Sequence, residues 1–366
     1  MVFTNDEKFM QLALNLAEKG RGKTSPNPMV GAVLVKNGIV ISKGYHKALG
    51  TEHAETSAIR KAQGNIKGAT LFVNLEPCCH TGRTGPCTEA IINSKIANVV
   101  LSMKDPNPLV NGKGIRLLKQ AGIKIKTGIL KDSAHMLNET YLNYHTNQRP
   151  FVILKTAQSL DGRIASLSGD SRWLSSSESL KYVHRLRSEV DAVVVGMGTV
   201  RKDNPSLTVR KVKGRNPYRI IISESLKFSP KTKLLENNSD YKTIIVSTKK
   251  SIDKYLKTKH NLGLIFWNLK KERNGYINLS DFIEKANQFN LQSILVEGGR
   301  RLATSFLKEG LVDKYITVTA PKILGNGISS VGELNFRKIS HAIVLDKTSF
   351  FKSGDDMVFI GYPGRK

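Results

Sequence analysis

The segment NLEPCCHTGRTGPC, residues 74–87, contains all three cysteines of the 366-residue chain. An apolar run typical of a buried strand, ATLFVNL, leads into this segment, and Cys87 follows a proline at the start of a predicted helix. Another helix is predicted to begin at His53-Ala54-Glu55. Because the ends of one strand and two helices can converge in an α/β fold, we expect His53, Cys78 and Cys87 to share a site.

These three residues form a ligand set suited to zinc. Zinc prefers thiolates and imidazoles, and a catalytic site with three protein ligands keeps a fourth position open for water. Zinc lowers the pKa of such a water to about 7. Glu55 is not a predicted ligand; we expect it to move the proton of that water to a leaving group. Cys79 is predicted to be a bystander, and His80 is a weaker candidate ligand that could instead face substrate or solvent.

A disulfide or a redox pair is the alternative for the clustered cysteines. The first twenty residues carry early acidic groups and an amphipathic spacing, unlike a secretory signal. No apolar run reaches the roughly 18 residues of a membrane span. We therefore expect a cytoplasmic protein that does not associate with membranes. Cytoplasmic thiols stay reduced, which favours metal binding or catalysis.

The charge invites a different interpretation. The chain has 57 Lys and Arg against 30 Asp and Glu, a formal net charge of +27, which suits a nucleic-acid partner. The excess is spread along the chain, however, and its densest clusters are pairs such as Lys249-Lys250 and Arg300-Arg301. Nucleic-acid-binding proteins usually concentrate their charge in a stripe or a tail. We therefore expect no nucleic-acid partner, and an anionic small substrate remains compatible with this background.

Hydrophobic patterns predict two α/β domains, residues 1–147 and 148–366. In the first, strands and helices alternate as in a three-layer sandwich, from a helix at about 5–19 to one at about 132–145. NQRPFVILK marks the boundary, after which the sequence predicts seven strands with three helices among them, and then two late strands. The polar stretch 224–242 is predicted to be a surface excursion.

Further motifs of the first domain accompany the cysteines. They are SPNPMVGAVLV (25–35), GYH (44–46) and KDPNPLVNGKG (104–114). With HAE and the cysteine segment, they resemble the zinc deaminases of cytosine- and adenine-type rings, whose usual signature is P-C-x-x-C. Here Cys87 follows Cys78 by nine positions, with eight residues between them. This longer spacing resembles the pyrimidine deaminase domain of the bifunctional deaminase–reductases of riboflavin biosynthesis. A nucleic-acid deaminase would be expected to have the shorter spacing.

This resemblance implies a cytidine-deaminase-like fold and a phosphorylated aminopyrimidine substrate, 2,5-diamino-6-(5-phosphoribosylamino)pyrimidin-4-one. Asn27 and His46 match family positions that hold the base. Arg83 suits the substrate phosphate, since a guanidinium donates two parallel hydrogen bonds to such a group. Two other interpretations stay open: a solvated loop charge for Arg83, and turn formation for Asn27 between its two prolines.

The second domain has weaker motifs by itself. In ILVEGGRRLATSFL (294–307), a strand ends at Glu297 and two glycines precede a helix, which suits a dinucleotide diphosphate or simply a turn. The reductase half of the same family resembles this stretch, LKTAQSLDGRIA (154–165) and the region 184–210. The resemblance implies a dihydrofolate-reductase-like fold. It also implies that NADPH transfers a hydride to the ribose carbon of the substrate, which converts the ribosyl group to a ribityl chain.

The resemblance also assigns roles in this domain. Lys155 and Asp203 are the predicted polar groups beside the transferred hydride, although Lys155 could be a surface lysine. The predicted cofactor contacts are Ala157, Trp173, Thr199, Asp203, Ser223, Gly299, Arg300, Arg301, Leu302, Ala303, Thr304 and Ser305. The predicted substrate contacts are Ser171, Arg187, Leu207, Arg210 and Glu297, of which Arg187 and Arg210 suit the 5′-phosphate. Trp173 could instead be a core residue.

The family further implies a homo-oligomer, a dimer or a tetramer. An inactive remnant that keeps only the fold is the second alternative. It is disfavoured because His53, Glu55, Cys78, Cys87, Asp203 and Glu297 are all present.

Overall fold

The fold was analysed in a computed structural model that describes residues 4–82, 85–171, 174–229, 231–236, 238–258, 263–273 and 275–364. The chain divides into two compact units, Met1–Gln148 and Arg149–Lys366. Across the described segments, no helix combines the length and the apolar character needed to cross a bilayer.

The first unit is built on a five-stranded sheet in the order β2-β1-β3-β4-β5. β1 is antiparallel to β2 and β3, whereas β3, β4 and β5 run parallel. Its elements in chain order are α1 (Asn5–Ala17), β1 (Gly31–Lys36), β2 (Ile39–Tyr45), α2 (Ala54–Lys61), β3 (Thr70–Val73), α3 (Cys87–Asn93), β4 (Asn98–Leu101), α4 (Lys113–Gln120), β5 (Lys124–Thr127), α5 (Lys131–Leu137) and α6 (Glu139–Asn147), with a 3₁₀ turn at Glu18–Gly20.

Helices cover both faces of this sheet. On one face, residues of α2, α3 and α4 such as Ala58, Ile91 and Leu118 are buried against the strands. On the other, α1, α5 and α6 contribute residues such as Met10 and Tyr141. The predicted three-layer sandwich is therefore confirmed.

The single helix predicted at about 132–145 is wrong in one respect, because it is broken at Asn138. This residue has φ −107° and ψ 22°, outside the helical range, and separates α5 from α6. Its side chain turns inward to the backbone of Met29, accepting from the amide at 2.8 Å and donating to the carbonyl at 2.9 Å. These long-range hydrogen bonds are more favourable than the hydrogen bonds that an unbroken helix would form at Asn138.

The second unit contains a nine-stranded sheet in the order β11-β10-β9-β8-β12-β6-β13-β16-β15. Its elements are β6 (Phe151–Ser159), β7 (Arg163–Ser166), α7 (Ser177–Glu189), β8 (Ala192–Gly196), α8 (Met197–Asp203), β9 (Tyr218–Ile222), α9 (Lys233–Glu236), β10 (Thr243–Ser247), α10 (Lys249–Thr258), β11 (Ile265–Asn268), α11 (Leu279–Gln288), β12 (Ser293–Val296), α12 (Arg300–Lys308), β13 (Lys314–Ala320), β14 (Gly327–Ser329), β15 (Leu345–Ser353) and β16 (Asp356–Pro363), with a 3₁₀ turn at Ile339–His341.

Seven strands of this sheet, from β11 to β13 in spatial order, run parallel, and β16 and β15 complete it in antiparallel fashion. α11 and α12 pack on one face, and α7, α8, α9 and α10 on the other. The parallel strands are apolar on both faces, as burial between two helical layers requires. The predicted dihydrofolate-reductase-like α/β class is confirmed.

The polar stretch 224–242 is more integrated than predicted. It contains α9, whose Leu234 is fully buried, and it supplies Asp240 and Asn238 to the guanidinium of Arg219. Arg219 is 1% exposed, so these partners are needed to offset the cost of burying its charge. The prediction of a surface excursion is therefore wrong for this core-facing part.

Close packing of α2 on β2 generates a test of the fold. A Cβ added at Gly44 would collide with the carbonyl oxygen of Ala54 and with the amide nitrogen of Ala58, both in α2. We expect Gly44→Ala to lower the free energy of unfolding by about 1–3 kcal/mol through overpacking. Thermal and urea unfolding measure the effect. Gly82→Ala is the control, because its Cβ would meet no atom within 4 Å; equal stability of the two variants would contradict the packing described.

Candidate active sites

Three potential metal ligands meet at the carboxyl end of β3 in the first unit. His53 directly precedes α2, Cys78 follows β3 after a short loop, and Cys87 is the first residue of α3. His53 Nδ1 lies 3.4 Å from Cys78 Sγ and 3.3 Å from Cys87 Sγ, and all three ligand atoms lie within 4.8 Å of one another. The predicted convergence of the strand end and the two helix starts is confirmed.

The donor set fits zinc in chemistry and in spacing. Zn–S bonds of about 2.3 Å and Zn–N bonds of about 2.0–2.1 Å give a tetrahedral N···S edge of roughly 3.6 Å. The two N···S distances are close to that edge. His53 and Cys78 are partly exposed and Cys87 is buried, so the cluster opens on one side.

The two thiols have opposite pKa shifts. The hydrogen bond from the Cys87 thiol, aided by His53, lowers the pKa of Cys78 to about 4 against the opposing effect of burial. That same hydrogen bond, together with burial, raises the pKa of Cys87 well above its usual value. The Cys87 backbone N–H also donates to Cys78 Sγ at 3.4 Å. The pair therefore keeps a thiolate at Cys78, the ionisation state that a metal ligand needs.

Glu55 lies in the first turn of α2 and is 4% exposed. Burial, reinforced by the charge of Cys78, raises the pKa of its carboxyl group to about 7. A carboxyl group with a pKa near neutrality can both accept and donate a proton.

Asn27 and His46, which the resemblance assigns to the base, lie together beside this cluster. Asn27 Nδ2 is 3.3 Å from His46 Nε2, and His46 Nδ1 is 3.1 Å from the Glu52 carbonyl oxygen. The Glu52 contact requires a proton on Nδ1, so Nε2 accepts from Asn27. Burial lowers the pKa of His46 and so favours this neutral form. Its ring packs edge-on against His53, with 5.3 Å between the ring centroids.

Sequence reasoning missed the residues that hold these groups in place. Asn74 donates to the Met29 carbonyl at 3.0 Å and accepts from the Gly31 amide at 2.9 Å, and Asn138 binds Met29 from the other side. These contacts fix the segment that leads from Asn27 into β1. The signal available in the sequence was Asn74 itself, a polar residue at the end of an apolar strand.

Glu76 was also missed. Its buried carboxylate accepts the backbone N–H groups of Asp105, Gly112 and Ile115 at 2.9–3.2 Å. The carboxylate therefore ties the cysteine segment to the start of α4.

In the second unit, a buried ion cluster lies at the carboxyl end of β12. Glu297 accepts from Arg187 at 2.6 and 3.0 Å and lies 3.3 Å from Lys155 Nζ. Burial alone raises the pKa of Glu297, but the two cations outweigh it and lower the pKa to about 2. Lys155 is 11% exposed, so the alternative of a surface lysine is wrong.

Two cavities of 510 and 350 Å³ open beside this cluster. Both are lined by Ser171, Thr199, Asp203 and Gly299. Lys155, Ala157 and Glu297 line the smaller cavity, and Arg300, Arg301, Leu302 and Ser305 line the larger one. Most of the predicted cofactor residues thus line one or both of these two cavities.

The walls of the larger cavity suit a bound dinucleotide. Gly299 caps the N-terminus of α12, and its N–H donates to Thr199 Oγ1 at 3.2 Å. Gly196 and Gly198 also line the cavity, and a Cβ at either glycine would meet no atom within 4 Å. Backbone can therefore approach a ligand closely, and the helix N-terminus favours an anionic group.

The remaining predicted residues lie elsewhere. Ser223 and Ala303 are fully buried, and Leu207 is 2% exposed in the core. Thr304 Oγ1 donates to the Arg300 carbonyl and accepts from the Gly332 amide. Arg210 is exposed, next to Arg187. The predictions for Arg83 and Trp173 fall outside the described residues.

Comparison with known proteins gives two family matches that together span both units. Residues 3–103 match the cytidine and deoxycytidylate deaminase zinc-binding region, and residues 150–359 match the RibD C-terminal domain. The first match contains His53, Glu55, Cys78 and Cys87.

Similar proteins align over nearly the whole chain. The riboflavin biosynthesis protein RibD of Aquifex aeolicus is 45% identical over 359 residues, covering 98% of each chain. That of Escherichia coli is 38% identical over 334 residues, covering 88% of this chain and 89% of its own. The structure of Acinetobacter baumannii RibD superposes with a TM-score of 0.88 at 33% identity, covering 99% of both chains.

A Thermotoga maritima structure matches with a TM-score of 0.84 at 34% identity, covering 98% of this chain and 99% of its own. It is described as a diaminohydroxyphosphoribosylaminopyrimidine deaminase/5-amino-6-(5-phosphoribosylamino)uracil reductase. Such similarity over the full length, with both units matched in order, shows that the chain belongs to the RibD family of riboflavin biosynthesis proteins.

Proposed function

We propose that this chain is a bifunctional enzyme of riboflavin biosynthesis. Residues 1–147 would deaminate 2,5-diamino-6-(5-phosphoribosylamino)pyrimidin-4-one, and residues 148–366 would reduce the ribosyl group of the product to ribityl. The observation that carries the proposal is the meeting of His53, Cys78 and Cys87 beside the buried carboxyl of Glu55. The three free thiols of the chain support a reducing compartment, the cytoplasm.

In the deaminase site, His53 Nδ1 and the sulfurs of Cys78 and Cys87 would hold the zinc ion. When bound, zinc lowers the pKa of a water molecule at its open position to about 7. Glu55 would accept a proton from the water held there and deliver it to the exocyclic amine. The hydroxide so formed would add to the ring carbon that carries the amine, and the C–N bond would break to release ammonia. The raised pKa of Glu55, about 7, suits both proton transfers. Asn27 would orient the ring by hydrogen bonds to its polar edge, and His46, whose two ring nitrogens bind Asn27 and Glu52, would hold Asn27 in place.

In the reductase site, the larger cavity and the N-terminus of α12 would hold the diphosphate of NADPH. NADPH supplies the hydride for the ribose carbon. Lys155 and Asp203 line the smaller cavity, where that carbon would lie, and the ion pair with Glu297 holds the Lys155 side chain in place. Arg187 and Arg210 would hold the 5′-phosphate of the substrate.

We also infer that the chain forms a homo-oligomer, a dimer or a tetramer, through β15. This nine-residue strand is the last of the sheet and is exposed over most of its length. Phe350 is 74% exposed, and nearby Val344 and Ile339 are 67% and 95% exposed. Exposed aromatic side chains on an unpaired edge strand favour pairing with another chain. Because an edge strand can pair with a second copy of itself, a second copy of this chain is its proposed partner.

The two activities are expected to be separable by a single ligand substitution. Cys87→Ala removes one of three zinc ligands, so it should abolish zinc binding and ammonia release. NADPH oxidation with the deaminated substrate should continue, because Cys87 belongs to the other unit. Metal analysis and the two assays measure this. Cys79→Ala, beside the other ligand, is the control and should keep both activities; loss of the reductase step in a folded Cys87→Ala protein would contradict separate sites.

The role of Glu55 is tested by Glu55→Gln. The amide keeps the volume of the carboxyl group but cannot carry a proton between water and amine. Deamination should fall by about 10²–10⁴-fold while zinc content stays unchanged. Glu52→Gln is a matched control, since the Glu52 carboxylate binds the exposed Arg60 in a surface ion pair. Retained deamination in Glu55→Gln would exclude the acid/base role.

The oligomer is tested by Phe350→Lys, which places a charge on the exposed edge. We expect light scattering after size exclusion to show dissociation, because a lysine on the edge opposes strand pairing. Leu167→Lys changes an equally exposed leucine, 73% accessible, in the turn after β7. Leu167→Lys should keep the wild-type mass, and a monomeric wild type or an unchanged Phe350→Lys protein would refute the interface.

A further inference from the structure

Arg210 has an unusual environment for a cation. Its Nη1 donates to Thr208 Oγ1 at 3.0 Å. Although the residue as a whole is exposed, desolvation of its guanidinium group and the charge of Arg187 lower the pKa of Arg210. No ion pair with a carboxylate within 4 Å is found for Arg210 in the described part of the chain, whereas Arg187 is paired with Glu297. The charges of Arg187 and Arg210 thus repel each other, while Glu297 pairs with Arg187 and Lys155, which leaves positive charge for an anion.

The segment that carries Arg210 lies outside helices and strands, between α8 and β9. It therefore needs side-chain contacts to keep one position. Val209 N–H donates to Asn216 Oδ1 at 2.8 Å, within the segment itself. Arg210 N–H donates to His184 Nδ1 at 3.0 Å. The second bond connects the segment to α7, the helix that also carries Arg187.

His184 lies one helical turn before Arg187 and is 4% exposed. Because its Nδ1 accepts a backbone N–H, the ring proton must be on Nε2 and the imidazole is neutral. The surrounding charges favour this form. Burial and then the cations Arg187, Arg210 and Lys211 lower the pKa of His184 to about 4, and Glu297 only partly opposes them. A protonated ring would lose the acceptor and add a third positive charge beside two arginines.

We propose that His184 is a positioning residue of the reductase, which holds Arg210 beside Arg187 through its hydrogen bond to the Arg210 backbone and thereby forms the site for the substrate's 5′-phosphate. The proposal rests on the proposed function for the presence of that phosphate. His184 does not itself contact the cavities described above. Its effect is to fix the distance between two guanidinium groups, one in a rigid helix and one in an irregular segment.

Two substitutions separate the hydrogen bond from the packing of the ring. His184→Asn keeps an acceptor, because the asparagine side chain carries an amide oxygen near the position of the imidazole Nδ1. His184→Leu keeps an apolar volume and removes the acceptor, leaving the Arg210 N–H without its partner. The assay is NADPH oxidation with 5-amino-6-(5-phosphoribosylamino)uracil. Inorganic phosphate serves as a competing ligand, and its binding is also measured directly by calorimetry.

For His184→Leu we expect KM for the phosphorylated substrate to rise about tenfold or more, in line with the loss of one buried hydrogen bond. Phosphate affinity should fall by a similar factor. KM for NADPH and kcat should change little, because the lost interaction holds a remote part of the substrate in ground and transition states alike. His184→Asn should stay close to wild type in all of these values, and Arg210→Ala should reproduce the loss of phosphate affinity.

Several results would overturn the proposal. These are wild-type phosphate affinity in a folded His184→Leu protein, an equal loss in His184→Asn, or unchanged phosphate affinity in Arg210→Ala. Histidine ¹⁵N spectra of the wild type provide a test that needs no variant to fold: the Nε2–H tautomer of His184 is expected, and the Nδ1–H tautomer would refute the bond. If the wild type fails to oxidise NADPH, the proposed function fails, whereas direct phosphate binding still decides the role of His184.

Discussion

Buried glutamates at the carboxyl ends of strands organise both sites, and how each carboxylate is compensated determines what it can do. An ionised carboxylate removed from water is costly unless hydrogen bonds or cations replace its hydration. Glu76 obtains three backbone N–H groups, and Glu297 obtains Arg187 and Lys155. Both fix the chain around them, and the two cations keep Glu297 ionised. Glu55, at the start of α2, is buried with far less compensation, so its pKa rises to about 7 and its proton becomes transferable.

Neutral and charged side chains have different roles around each site, because burial affects them differently. Neutral side chains such as His46 and His184 lie where a second positive charge would be unfavourable, and each accepts one hydrogen bond through a nitrogen whose protonation the surroundings suppress. Charged groups are fixed by partners in rigid elements. Both sites thus combine one reactive or ligand-binding group with several groups that only hold geometry.

Much of this arrangement could be predicted from the sequence, because the decisive residues occur at strand ends and helix starts. His53, Cys78 and Cys87 follow that rule, and their residue types restrict the chemistry to a soft metal. The region 299–305 was recognised for a similar reason, since glycines between a strand and a helix expose backbone N–H groups. Where local signals and the fold agree, the sequence alone indicates the site.

What could not be predicted depends on partners distant in the chain. The break at Asn138 results from hydrogen bonds to Met29, and the buried part of 224–242 results from the charge of Arg219. The burial of Lys155 cannot be predicted from its neighbours, because the Glu297 carboxylate that pairs with it belongs to a distant part of the chain. None of these contacts has a periodicity or a motif. The helix at Met197–Asp203 is not predicted by the sequence, since glycines at 196 and 198 disfavour a helix.

The central claim, two chemistries in fixed order on one chain, is tested most directly by following ammonia release and nicotinamide absorbance together. Purified protein is given the phosphoribosylaminopyrimidine with and without NADPH. We predict that ammonia is released with and without NADPH. In the sample with NADPH, the nicotinamide absorbance should fall only after ammonia appears. NADPH oxidation without prior ammonia release, or no ammonia from a zinc-loaded protein, would contradict the account.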